Sequence, residues 1–271
     1  MPDVTRDCGI RTEAATPYVS MRRREVLPRP TKRAGRLGKG LAGRSGAVLY
    51  ITRWSGEREA PMPMVWRRRG RGIGYADERL YDRDEHGVLW TRTRSEPGKG
   101  QPEFGKVHAL RHRMAMGGLL CQICAGPADC NAEGVLWLID ADSDDPSLWR
   151  GDERTAHPPV CMPCARRSTE ACPHLRRAYT AVRVSTFTLW GVRGLLHRPG
   201  PTVPEPVDIA LLRFGDPRLP WLRASQLVMH LREFTVIDLS AEALSPGRAE
   251  QLTGQQQQSP ATICSPSRRT R

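Results

Sequence analysis

The chain has 271 residues, with 42 Lys and Arg against 29 Asp and Glu, a formal charge of +13. That length can bury a sizeable core without staples, and no run approaches the ~20 apolar residues of a membrane helix. The opening MPDVTRDCGIRTEAATPYVS has no apolar h-region, which argues against Sec-type export and for a soluble, cytoplasmic protein.

The charge points to an anionic partner, with nucleic acid the first candidate. Only Lys32, Lys39, Lys99 and Lys106 are lysines, however, and such an arginine bias is what GC-rich coding supplies without selection for binding. Position therefore says more than the total. Residues 1–72 hold 17 Lys and Arg against 6 Asp and Glu, so the cationic character is concentrated in an N-terminal arm.

Residues 1–46 read as a disordered basic arm. Arg22, Arg23 and Arg24, together with TKRAGRLGKGLAGRSG, combine charge, proline and glycine with little to bury. Met21 offers an alternative start. A β-rich segment follows over 47–106, with strand-like runs in AVLYIT and in GVLWTRT. Between these, VWRRRGRGIGY sets Trp66 and Tyr75 beside a basic cluster; such a surface can stack on bases, although a core Trp beside exposed arginines is the commoner arrangement. Residues 107–120 have helical periodicity, with Arg111, His112 and Arg113 on the polar side. Residues 179–240 form an α+β segment: strands in Ala181–His197 and IALLRF, a helix over Ser225–Phe234, and a last strand in TVIDL. From 241 to 271 a Gln- and Ser/Pro/Arg-rich tail has no expected fold.

Six of the eight cysteines fall within residues 121–172. Cys121-Gln-Ile-Cys124 and Cys161-Met-Pro-Cys164 form two knuckles, and two intervening residues let one turn present both sulfurs to a tetrahedral ion at ~2.3 Å. A redox CxxC needs one pair in a thioredoxin-like βαβ setting, which the surrounding sequence lacks. The expected cofactor is one structural Zn²⁺ held by Cys121, Cys124, Cys161 and Cys164. If the segment after Cys164 is helical, Cys172 lies ~12 Å along the axis and cannot join the site. Cys130 is a weaker alternative to either first-knuckle sulfur. Cys130 and Cys172 are better read as small buried hydrophobes.

LCQICAGPADC followed by HPPVCMPCARRST resembles the paired knuckles of HNH endonucleases, over about residues 107–175. The wider chain is similar to a group of uncharacterised actinobacterial proteins with no established activity. The resemblance implies a treble clef: a knuckle after a basic helix, a β-hairpin, then a knuckle that opens a helix. It makes the fold class α+β, with a treble-clef-like zinc module over 107–178 embedded between short β-rich segments.

HNH nucleases place an acidic residue and a general-base histidine in that hairpin. Here the corresponding stretch carries Asp140 and Asp142 but no histidine, and Ala165 stands where many of these nucleases have another. His157 alone supplies neither a base nor a full ligand set. The leading expectation is therefore a zinc-stabilised, non-enzymatic nucleic-acid-binding protein, DNA being the favoured partner. Arg111, Arg113, Arg166 and Arg167 flank the knuckles, and Arg22, Arg23 and Arg24 add sequence-blind phosphate contacts. The alternatives are a diverged nuclease using His157, Asp140 and Asp142, and a protein-interaction scaffold in which zinc only holds the fold.

Overall fold

The computed structural model describes residues 48–58, 63–67, 71–140, 153–172, 175–176 and 179–242. The N-terminal arm with Arg22, Arg23 and Arg24, Asp142, Cys8, Cys264 and nearly all of the tail lie outside the described residues.

The architecture is mixed α and β, with two helices and a large sheet among the described residues. β1 (Thr52–Trp54) pairs antiparallel with β5 (Pro102–Val107), and β2 (Met64–Trp66) with β3 (Ile73–Tyr75). Of the AVLYIT run, Ala47 lies outside the described residues, Tyr50 and Ile51 are in a turn, and only Thr52 enters β1. Seven strands make the main sheet: β4 (Leu89–Trp90), β6 (Cys130–Asn131), β7 (Gly134–Asp140), β8 (Glu153–Thr155), β9 (Tyr179–Arg198), β10 (Glu205–Arg213) and β11 (Leu222–Ile237). The helices are α1 (Ala109–Gly117) and α2 (Met162–Ala171).

β9 is the spine of the sheet. One edge pairs with β11 along nearly its whole length, while the other pairs with β7 over residues 179–184 and with β10 over residues 191–198. Beyond β11 lie β8 and a short parallel contact with β4. β-Branched and aromatic residues in β9 suit a pleated surface buried on both sides.

The helix expected over Ser225–Phe234 is instead part of β11. Leu227, Val228, Leu231 and Phe234 have helical spacing, but bulges after Ala224 and Val228 interrupt the strand's alternation and leave 226–229 buried in succession. A strand with such breaks and both faces partly covered mimics the helical period.

β7 is buried on both faces, and this positions the knuckles. Val135, Trp137 and Ile139 face the main core with Val182 and Val184 of β9, Leu227 and Leu231 of β11, and Met116 of α1. Leu136 and Leu138 face a second cluster made with Cys121, Val160, Cys161, Met162 and Cys164. Trp137 packs edge-on to Phe187 at 5.3 Å and donates its Nε1 proton to the His157 carbonyl at 3.0 Å. The connection into β7 is tight: Gly134 has φ +128°, and a Cβ there would collide with the Val184 carbonyl.

Candidate metal centre

Both knuckles are sewn to β7 by main-chain bonds. Val160 N–H donates to Leu136 O at 3.0 Å, Asp129 N–H to Val160 O at 2.9 Å, and Gln122 N–H to Pro159 O at 3.0 Å. The lead-in to the second knuckle therefore lies beside the first one.

Each knuckle closes on itself. Cys121 N–H donates to Gly126 O at 2.7 Å and Ala125 N–H to Cys121 O at 2.9 Å. That turn needs a left-handed residue after Cys124, and Ala125 supplies it at φ +61°, a conformation easier for glycine. The second knuckle is the first turn of α2. Cys161 is the N-cap, Pro163 lies in the first turn, and Cys164 N–H and Ala165 N–H donate to Cys161 O at 3.1 and 2.9 Å. The positive end of the helix dipole thus faces the sulfurs.

The four Sγ atoms of Cys121, Cys124, Cys161 and Cys164 lie within 4.8 Å of one another. Those of Cys124 and Cys161 are 3.7 Å apart. Bonds of ~2.3 Å to a tetrahedral ion require sulfurs a little under ~4 Å apart, so the donor set fits one such ion. Cys121, Cys161 and Cys164 are buried and Cys124 is exposed. The hydrogen bond from Cys161 pulls the Cys121 thiol down to about 5, helped by the main-chain N–H groups of Cys161, Cys124 and Ile123 and opposed by burial. Donating to Cys121 pushes Cys161 up, and burial raises Cys124. The exposed guanidinium of Arg167 donates from Nη2 to Cys164 Sγ at 3.2 Å, which holds positive charge against the cluster. Main-chain and arginine donors aimed at sulfur are the usual outer support of a thiolate site.

Cys172 caps the C-terminus of α2, away from the quartet. Cys130 is half-buried in β6, packs against the main core and is disulfide-bonded, so it is no substitute for a knuckle sulfur. Among the described residues, the quartet is the one group of three or more His, Cys, Asp or Glu side chains placed to hold a metal.

The flanking arginines need correction. Arg111 and Arg113 are not on a polar face. Arg111 is 4% exposed and forms a bidentate pair with fully buried Glu57 at 2.6 and 2.7 Å, with further bonds to the Tyr50 and Thr52 carbonyls. Arg113 is buried with its guanidinium 4.9 Å from the Trp90 ring. His112 is buried too, bonded through Nε2 to Ala156 O at 2.6 Å. Arg166 is half-buried and donates to Leu239 O at 3.2 Å, tying α2 to the end of β11. Of these four arginines only Arg167 is exposed.

Trp66 is also corrected, in the other direction: it is 43% exposed on β2 with exposed Arg67 beside it and exposed Arg71 across the hairpin. Its alternation in a strand of only three residues gave too little periodicity to assign a face. Tyr75 is buried and donates its hydroxyl proton to Trp90 O at 3.0 Å. His157 is exposed, with its N–H bonded to Thr155 Oγ1 at 3.0 Å. Asp140 ends β7 opposite Tyr179.

No family model, curated protein or solved structure matches the chain. Among the described residues no helix is long and apolar enough to cross a membrane.

Proposed function

We propose that this chain is a zinc-stabilised, non-enzymatic module that binds nucleic acid. Zinc is the favoured ion because four thiolates with no open position make a closed structural site, not one that activates water. The order of parts supports a treble clef of the HNH type. α1 precedes the first knuckle, the β6–β7 hairpin follows, and the second knuckle opens α2. The same closure leaves no place for a reacting water on that ion, which favours binding over hydrolysis.

The observation that carries the nucleic-acid reading is the exposed indole of Trp66 on a hairpin that also carries the exposed Arg67 and Arg71, in a chain of net charge +13. An exposed ring offers a face for a base, and exposed guanidinium groups on the same hairpin suit phosphates. Arg167 and the N-terminal arm with Arg22, Arg23 and Arg24 would add backbone contacts. Gel shifts of labelled single- and double-stranded DNA at increasing salt test the reading. Binding that weakens steeply with salt is expected, with a shallower slope after deletion of residues 1–46. No shift at low salt would leave the scaffold reading in its place. Mg²⁺- or Mn²⁺-dependent nicking lost in His157→Ala with zinc retained would replace the proposal by the nuclease reading.

A further inference from the structure

The main sheet has a second face, turned away from the core. Val192 of β9, Leu212 of β10, and Met229 and Leu231 of β11 pack inward, so their neighbours along each strand point outward. Register sets those neighbours side by side. Arg154 of β8 lies opposite His230 of β11, and His230 opposite Thr188 of β9. Further along, Arg193 lies opposite Leu211, and Gly191 opposite Arg213. Trp190 occupies a bulge of β9 between these two groups. It is half-buried, and the guanidinium of Arg154 lies over its ring, 4.9 Å from the centroid.

This face carries positive charge that no acid offsets. Arg154, Arg193 and Arg213 are exposed. Arg154 is stacked on Trp190, and Arg193 donates to the Gln226 amide oxygen at 2.7 Å, but among the described residues neither has a carboxylate partner. Arginines elsewhere take one, as Arg53 does Glu103, Arg83 Glu78 and Arg198 Glu205. The acids close by in sequence are turned away or engaged. Glu153 alternates with Arg154 and points to the core side with Leu231. Asp216, past β10, pairs with Arg218 at 2.8 Å, and Glu233 accepts from the Thr186 hydroxyl at 2.7 Å.

The charge selects an anionic occupant, and the stacked pair selects which kind. Bases stack on aromatic rings and on guanidinium planes, and Arg154, rigidly held over Trp190, offers such a plane to solvent. Leu211, 45% exposed beside Arg193, adds apolar surface for a sugar or a base edge. A duplex keeps its bases inside and has nothing to lay on this platform, whereas a single strand has both bases and phosphates to offer. Four strands at ~4.8 Å spacing make the face about 14 Å across, from Arg154 on β8 to Leu211 on β10. Building on the nucleic-acid reading above, we infer that this outer face, centred on Trp190 with Arg154, Arg193 and Arg213, is a binding site for single-stranded nucleic acid. It lies in a different sheet from Trp66.

Fluorescence anisotropy of labelled oligo(dT), and of a duplex of the same length, tests this on the full chain. Combining Arg154→Ala, Arg193→Ala and Arg213→Ala should weaken oligo(dT) binding by at least about tenfold and lower its salt slope by about 2. The melting temperature should hold, since all three side chains are exposed. Trp190→Leu should cost about tenfold, and Trp190→Phe, which keeps a ring, should retain most of the affinity. Oligo(dT) held by the triple variant as by the wild type overturns the inference; if Trp66→Ala still weakens it, the nucleic-acid reading stands on the hairpin alone. A wild type that binds no oligo(dT) at low salt overturns both. Duplex bound as tightly as oligo(dT) removes the stacking site and leaves a phosphate surface. Vesicles of phosphatidylcholine and phosphatidylserine are the counter-probe: binding to them that the triple variant abolishes, with oligo(dT) binding intact, assigns the face to a membrane surface instead.

Discussion

The arginines of α1 and those around β2 have opposite surroundings. Arg111 and Arg113 lie inside, against Glu57 and Trp90, whereas Arg67 and Arg71 stand in solvent beside Trp66. The difference is one of available partners. α1 is wedged between β11 and the N-terminal strands, and a guanidinium there finds a buried carboxylate, main-chain carbonyls or a ring. Glu57 completes the arrangement: burial would raise its pKa, but bonds from Arg111 and from the Trp54 and Glu96 amides pull it below the usual carboxylate range. Arg92 with Asp82 and Arg183 with Asp129 repeat the theme. Such pairs are neutral and leave the net charge of +13 as it is, but they take arginines out of the 42 basic residues, so the count of basic residues overstates the surface offered to phosphates.

The sharpest way to break the comparison is to remove what holds α1 and the knuckles in place. Cys121→Ser or Cys164→Ser should lose the bound zinc and a stabilisation on the order of 10 kcal/mol. Metal analysis and thermal melting check this, and Cys172→Ser should leave the zinc content unchanged. Next in size, Arg111→Ala should destabilise by about 3–5 kcal/mol, because it leaves Glu57 charged and buried without its partner. Urea unfolding measures it, and Arg111→Met with Glu57→Leu should recover much of the loss.

Burial pushes His112 down to about 4, against a bond to Ala156 that favours the charged ring. Its folded value lies below the unfolded value of ~6.5, so the unfolded chain binds the extra proton first. The associated stability is complete above pH ~6.5 and declines as pH falls toward 4, by roughly 3 kcal/mol in all. Unfolding curves across that window, with zinc content followed in parallel, should flatten in His112→Asn.

On the solvent side, Trp66→Ala should leave the melting temperature within about 1 °C, yet weaken single-stranded nucleic acid by about 1–3 kcal/mol. Fluorescence anisotropy checks the second part, and an unchanged affinity would leave Trp66 with no binding role. Smallest of all, Ala125→Gly should stabilise by up to about 1 kcal/mol, since glycine meets the φ of +61° without a Cβ penalty. The zinc affinity should rise with it.

The cysteine quartet was legible because ligand spacing is a local constraint: each CxxC forms its own turn, and a second knuckle opening a helix is what the resemblance to HNH knuckles implied, with Cys161 found at the N-cap of α2. β9 and β10 were legible from their β-branched residues. What stayed hidden depended on distant neighbours. Nothing near Arg111 announces Glu57, which is 54 residues away. Trp66 and Tyr75 belong to one motif and lie on opposite sides of the burial divide, because β3 packs against Leu89 and Trp221 while β2 forms the outer strand. Arg167 was picked out as a flank of the knuckle, but its bond to Cys164 needed the helix to place three residues on one side.

The length of β9 has a consequence for how the molecule opens. Its first residues share β7 with the cysteine cluster, and its last residues share β10. Metal loss withdraws support from only one end of this strand. Amide exchange after chelation should then run as a gradient, fastest in β7 and around residues 179–184 and slowest toward residue 198. The strand works as a ruler along which local opening can be read, its β10 end still paired while the metal end is loose.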